Sequence, residues 1–112
     1  MKQRLLGTLL VTLLVVTLAG LAVAAEKGPV IAGIYKFGDS PWFINEGKAA
    51  AETVKAMGAS DFLYLDAKDD GHLFLQMIDT VIAQNVDGVI VCPPDQTLSQ
   101  IAVEKLSAAG IP

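Results

Sequence analysis

The chain has 112 residues, of which 53% are apolar and 18% charged, with one cysteine and a formal net charge of −4. That length holds one small domain. A single cysteine excludes an intramolecular disulfide framework or a cysteine-rich zinc site, and the acidic balance lacks the basic stripe of a nucleic-acid-binding surface.

The apolar excess is concentrated at the start. Lys2 and Arg4 precede a Leu/Val/Thr-rich run from Leu5 to Leu18, and Ala19 to Ala25 is small and apolar before Glu26-Lys27. A basic opening, an apolar middle and a small-residue end form the pattern of a secretory signal peptide over residues 1–25, cleaved after Ala24 or Ala25. Retention as a membrane anchor is the alternative, since Leu5–Ala25 approaches the length of a bilayer span. Removing the segment takes away Lys2 and Arg4 and leaves 87 residues of net charge −6. The expectation is an exported, periplasmic chain.

The remainder reads in chain order. Val30–Tyr35 is an apolar run that fits a strand buried on both faces. Phe37-Gly38-Asp39 is a turn. Ser40-Pro41 fits a helix N-cap with proline at the first helical position, and the helix runs to about Met57, with Gly58 as its stop. Phe62–Leu65 is the second strand, ending at Asp66. Asp70 caps a second helix over about Gly71–Asn85, whose apolar face is Leu73, Met77, Ile78, Val81 and Ile82. Val89–Cys92 is the third strand, stopped by Pro93-Pro94. Thr97 or Ser99 opens a third helix anchored by Ile101, Val103 and Leu106 and ended by Gly110. Ile111-Pro112 reads as the first step into a fourth strand.

Strand–helix alternation of this kind predicts an α/β fold: a three-layer parallel sheet with helices on both faces. In such sheets ligands bind beyond the carboxyl ends of the strands where the strand order reverses. For an order 2-1-3 that place lies between strands 1 and 3, and the residues just past it are Lys36–Phe43 and Cys92–Asp95. Trp42 offers a flat indole for a sugar's C–H face, while Lys36 and Asp39 offer hydrogen bonds to its hydroxyls. Of Trp42 and Phe43, one is expected in the core and one at the cleft. Cys92 reads as a packing residue near the site, because nothing in the sequence pairs it with His72, the sole histidine. The segment Asp66–Gly71 fails as a calcium loop: Lys68 stands at its third position and Met77 at its twelfth. Gly33 and Gly38 have phosphate-loop spacing, but Asp39-Ser40 follows where Lys-Ser/Thr is needed. No cofactor, no metal site and no enzyme activity are expected.

The segments Lys-Phe-Gly-Asp-Ser-Pro-Trp-Phe (Lys36–Phe43) and Gln-Asn-Val-Asp-Gly-Val-Ile-Val-Cys-Pro-Pro-Asp (Gln84–Asp95) resemble the periplasmic sugar-binding proteins of ABC transporters, above all their L-arabinose-binding branch. The likeness extends over residues 26–112. It implies the N-terminal lobe of a type I periplasmic binding protein, incomplete here, that delivers a monosaccharide to an ABC transporter permease by hinge closure of two lobes. It implies that Lys36 bonds the sugar, Trp42 stacks on it, Phe43 walls the pocket and Cys92 lies nearby, with Asp39 the adjacent acid. Ser40 stands where the arabinose-binding branch carries a sugar-contacting glutamate, so the sugar is an arabinose-like pentose or a hexose. Membrane contact would be through the permease or an uncleaved leader. The alternative function is a periplasmic sugar sensor subunit for a chemoreceptor or kinase. A sugar-responsive transcription regulator needs a basic DNA-binding segment before residue 30, where the apolar leader stands.

Overall fold

The computed structural model describes residues 26–112; the leader expected over 1–25 lies outside them. The element order is β1 (Val30–Tyr35), α1 (Pro41–Ala56), β2 (Asp61–Asp66), α2 (Gly71–Ala83), β3 (Gly88–Cys92) and α3 (Thr97–Ala108). The strands form one parallel sheet in the order β2-β1-β3. The α/β class and the three layers expected from the alternation are what the structure shows.

The two faces of β1 explain the layering. Side chains alternate along a strand, so Ala32 and Ile34 share one face and Gly33 and Tyr35 the other. Ala32 and Ile34 are buried with Phe74, Ile78 and Val81 of α2 and Ala102 and Leu106 of α3. On the opposite face α1 packs over β2 and β1: Gly47 leaves space for the Tyr64 ring, where a Cβ would come within 2.2 Å, and Phe43 meets Tyr35 with ring centroids 5.5 Å apart. β1 is thus buried from Ala32 to Tyr35, as its unbroken apolar run requires.

Caps and stops follow local chemistry. Asp70 Oδ1 accepts from the His72 and Leu73 amides at 2.8 and 3.0 Å, as expected of an N-cap. Ser40 occupies the N-cap position of α1 with extended backbone, and Pro41 is the first helical residue, but the serine side chain makes no capping bond. The Asp95 carboxylate accepts from both the amide and hydroxyl of Thr97, each at 2.8 Å, so α3 begins at Thr97. Gly58 and Gly110, after α1 and α3, take φ of +99° and +72°, a conformation open to glycine at no steric cost.

Some sequence expectations need correction. α2 ends at Ala83 rather than Asn85, because Asn85 adopts φ +53° and turns the chain. Its fully buried residues are Phe74, Ile78 and Val81; Met77 and Ile82 only flank the core. Ile101 and Val103 of α3 are exposed, at 41% and 56%. Leu106 is buried as expected, and Ala102 takes the place of the other two, one turn away on the same face, in one core cluster with the buried residues of α2. At the chain's end, Ile111 is buried and the Pro112 carbonyl accepts from the Val89 amide at 2.9 Å, which starts the expected pairing alongside β3. Among the described residues no helix is long and apolar enough to cross a membrane.

Candidate functional site

The carboxyl ends of all three strands fall in line: Tyr35 pairs with Asp66 on one side and Cys92 on the other. From this edge the chain leaves β1 toward α1 on one face and leaves β3 toward α3 on the other. The reversal of strand order lies between them, where parallel α/β sheets offer a crevice.

Lys36 and Asp39 lie on the connection from β1 into α1, and Trp42 and Phe43 lie in the first turn of α1. Lys36 is half-buried, and its Nζ stands 6.0 Å from the Phe37 ring centroid. Asp39 is exposed. The Ser40 amide closes the turn on the Phe37 carbonyl at 3.0 Å. Trp42 is 74% exposed and Phe43 is buried. Consecutive positions at a helix start point about 100° apart, so one aromatic enters the core while the other stays at the rim. Phe43 therefore packs beneath the site, against Tyr35. A hollow of about 290 Å³ runs along α1 beside Trp42, Asn45 and Glu46. A second, apolar groove of about 280 Å³ lies between α1 and β2, lined by Ile44, Gly47, Lys48, Ala51, Phe62 and Tyr64. It follows the outer edge of the sheet rather than its carboxyl ends.

Cys92 is a free, half-buried thiol at the end of β3. The His72 ring lies 3.1 Å from Gln76 Nε2, one turn along α2. No group of three or more His, Cys, Asp or Glu side chains is placed to hold a metal ion among the described residues. Asp95, on the β3 side of the edge, accepts from the Thr97 amide and hydroxyl, and these hydrogen bonds lower its pKa.

Two tyrosines beneath the edge are absent from the sequence reading of the site. Tyr35 is fully buried and folds back over Gly33, where a Cβ would come within 2.7 Å of its ring. It stacks on Tyr64 with centroids 4.9 Å apart. No described residue forms a hydrogen bond with its hydroxyl, and burial, aided by Glu46, pushes its pKa up to about 12. The Tyr64 hydroxyl donates to the Gly38 carbonyl at 2.9 Å. Burial, then the carboxylates of Asp66, Glu46 and Asp39, raise its pKa. The sequence signal was the pairing of Gly33 and Gly47 with aromatics, which here make room for rings.

The periplasmic binding protein domain model matches residues 31–112. The chain belongs to that family. Among solved structures, an ABC transporter solute-binding protein from Actinobacillus succinogenes with bound D-allose is 31% identical, at TM-score 0.68, with 75% of this chain and 30% of that chain covered. A solute-binding protein from Bacillus halodurans with bound myo-inositol is 27% identical, at TM-score 0.62, with 80% and 31% covered. The binding component of an arabinose ABC transporter from a Shewanella species is 22% identical, at TM-score 0.64, with 74% and 27% covered, which shows a shared fold. The chain spans less than a third of the length of each of these proteins. No curated protein matches it.

Proposed function

We propose that this chain is the N-terminal part of an exported sugar-binding protein that delivers a monosaccharide to an ABC transporter permease. Lys36, Asp39 and Trp42, with Cys92 alongside, form its half of the sugar site, and Phe43 packs beneath it against Tyr35. The observation that carries the reading is Trp42. A 74% exposed indole stands in the first turn of α1, at the carboxyl edge of a parallel sheet, largely uncovered by the described residues. It suits a pyranose or furanose ring, whose C–H face stacks on the indole while its hydroxyls bond Lys36 and Asp39. The solved structures of similar fold carry bound allose, myo-inositol or arabinose, which supports a polyol ligand and leaves the choice among pentoses and hexoses open.

The sugar is held without chemistry. Two lobes close on it about a hinge, and the second lobe supplies the remaining contacts. Periplasmic export follows from the leader pattern in residues 1–25.

The test is calorimetric titration of the protein expressed from its complete gene with D-allose, L-arabinose, D-glucose and myo-inositol. Saturable heat with at least one of them is expected. Lys36→Ala and Trp42→Ala should each weaken binding at least tenfold and leave the far-UV circular dichroism unchanged. No heat with any of the four, or unaltered affinity in both variants, contradicts the reading.

A further inference from the structure

The connection that carries Lys36 and Asp39 and leads into Trp42 is held from outside, by β2 and the turn that follows it. Gly38 is the point of attachment. Its N–H donates to Asp66 Oδ1 at 2.7 Å, and its carbonyl accepts from the Tyr64 hydroxyl at 2.9 Å. Both backbone polar groups of one loop residue are thus bound by side chains 26 and 28 residues away in sequence. The approach is so close that a Cβ on residue 38 would lie 2.4 Å from that of Asp66.

The same turn grips the loop further back. The Ala67 amide donates to the Tyr35 carbonyl at 2.8 Å, and the Asp69 amide donates to the Lys36 carbonyl. To present these amides the chain takes left-handed φ at two successive non-glycine residues, 52° at Lys68 and 55° at Asp69. Such conformations persist only where their surroundings enforce them. Asp66 Oδ1 is part of that enforcement, because it also accepts from the Lys68 amide at 2.9 Å.

Packing does not account for the choice of tyrosine at residue 64. The ring fills the notch at Gly47 and stacks on Tyr35, and phenylalanine would do both. The hydroxyl serves the Gly38 carbonyl alone.

We infer that Tyr64 and Asp66 are positioning residues for the ligand: by fixing both polar groups of Gly38 they hold Lys36, Asp39 and Trp42 in the arrangement that receives the sugar. This rests on the sugar-site reading above and extends it to two residues that need not touch the ligand. The loop is ordered before binding, so its ordering cost is not charged against affinity.

The test uses the protein from its complete gene and the sugar from the four-member panel that binds tightest. Tyr64→Phe and Asp66→Ala should each raise Kd about 3- to 10-fold, the range set by one hydrogen bond lost from the bound arrangement. Asp66→Asn, which keeps an acceptor oxygen, should recover most of the loss. Ile78→Val, a core change on the far face of the sheet, should lower the thermal midpoint and leave Kd alone. The Gly38 amide should exchange faster with solvent in Asp66→Ala, whether or not sugar is present. Kd within twofold of wild type in both Tyr64→Phe and Asp66→Ala overturns the inference, as does an equal rise in Ile78→Val. If Asp66→Ala does not fold, Tyr64→Phe decides the matter alone. Absence of heat from the wild type defeats the sugar-site reading and this inference with it, whereas normal wild-type heat with unaltered variants defeats the inference only.

Discussion

Tyr35→Phe should make the protein more stable, against the usual trend for core substitutions. The ring is fully buried, and its contacts with Phe43 and Tyr64, at 5.5 and 4.9 Å, are kept by phenylalanine. What is lost is a hydroxyl that no described residue hydrogen-bonds. A buried polar group without a partner costs about 1–3 kcal/mol, so a gain of about 1 kcal/mol or more is expected at neutral pH. The same hydroxyl gives the wild type an alkaline weakness. Its pKa rises from 10.0 to about 12 on folding. Below pH 10 both states keep the proton and nothing is lost. Between pH 10 and 12 the unfolded chain releases it while the folded protein retains it, so stability falls as pH rises, by about 2–3 kcal/mol over the window. Urea unfolding followed by far-UV circular dichroism at pH 7 and from pH 9 to 12 reads both effects. The substitution should raise stability at pH 7 and flatten the alkaline decline. A loss above 1 kcal/mol at pH 7, or an unchanged alkaline slope, would refute the reasoning.

Gly38→Ala should weaken both folding and sugar binding, since its Cβ would fall 2.4 Å from that of Asp66; thermal unfolding and calorimetry on the same samples check this. Gly58→Ala meets no neighbouring atom, so it isolates the conformational cost of φ +99°, about 1 kcal/mol, in denaturant unfolding. Asp70→Ala should destabilise the protein and remove part of its acid sensitivity. The amide bonds from Leu73 and His72 hold the Asp70 pKa below its ordinary 3.8, so the stability it adds is complete above that value and is lost as pH falls through the lowered one. Acid titration of the circular dichroism signal, wild type against variant, measures the difference.

The strands were legible because their signals are local. Val30–Tyr35 and Val89–Cys92 are short apolar runs bounded by glycine, proline or charge, and Ser40-Pro41 and Asp70 announce helix starts through their own backbone chemistry. The faces of α2 and α3 were harder to read. Ile78 and Val81 are buried as the periodicity predicts, but Leu73, Met77 and Ile82 satisfy that periodicity as well as Phe74 does. The choice falls to the latter because α2 must meet both the sheet and α3, a tertiary demand absent from any window of sequence. Ile101 and Val103 misled for the same reason, since the small Ala102 between them is the residue that faces α2. At the site, the division between Trp42 and Phe43 could be foreseen, but not which ring would turn inward. That depends on Tyr35, whose own place depends on the missing side chain of Gly33. The roles of Tyr64 and Asp66 were out of reach because they act on a backbone more than 25 residues away.

The most direct measurement is the indole N–H resonance of Trp42, assigned with Trp42→Phe, during titration of the complete protein with the monosaccharide that gives calorimetric heat. The account predicts that this resonance shifts and saturates at the same sugar concentration as the heat. An indole signal that stays in place while the heat saturates would contradict the proposed role of the first turn of α1 in holding the sugar.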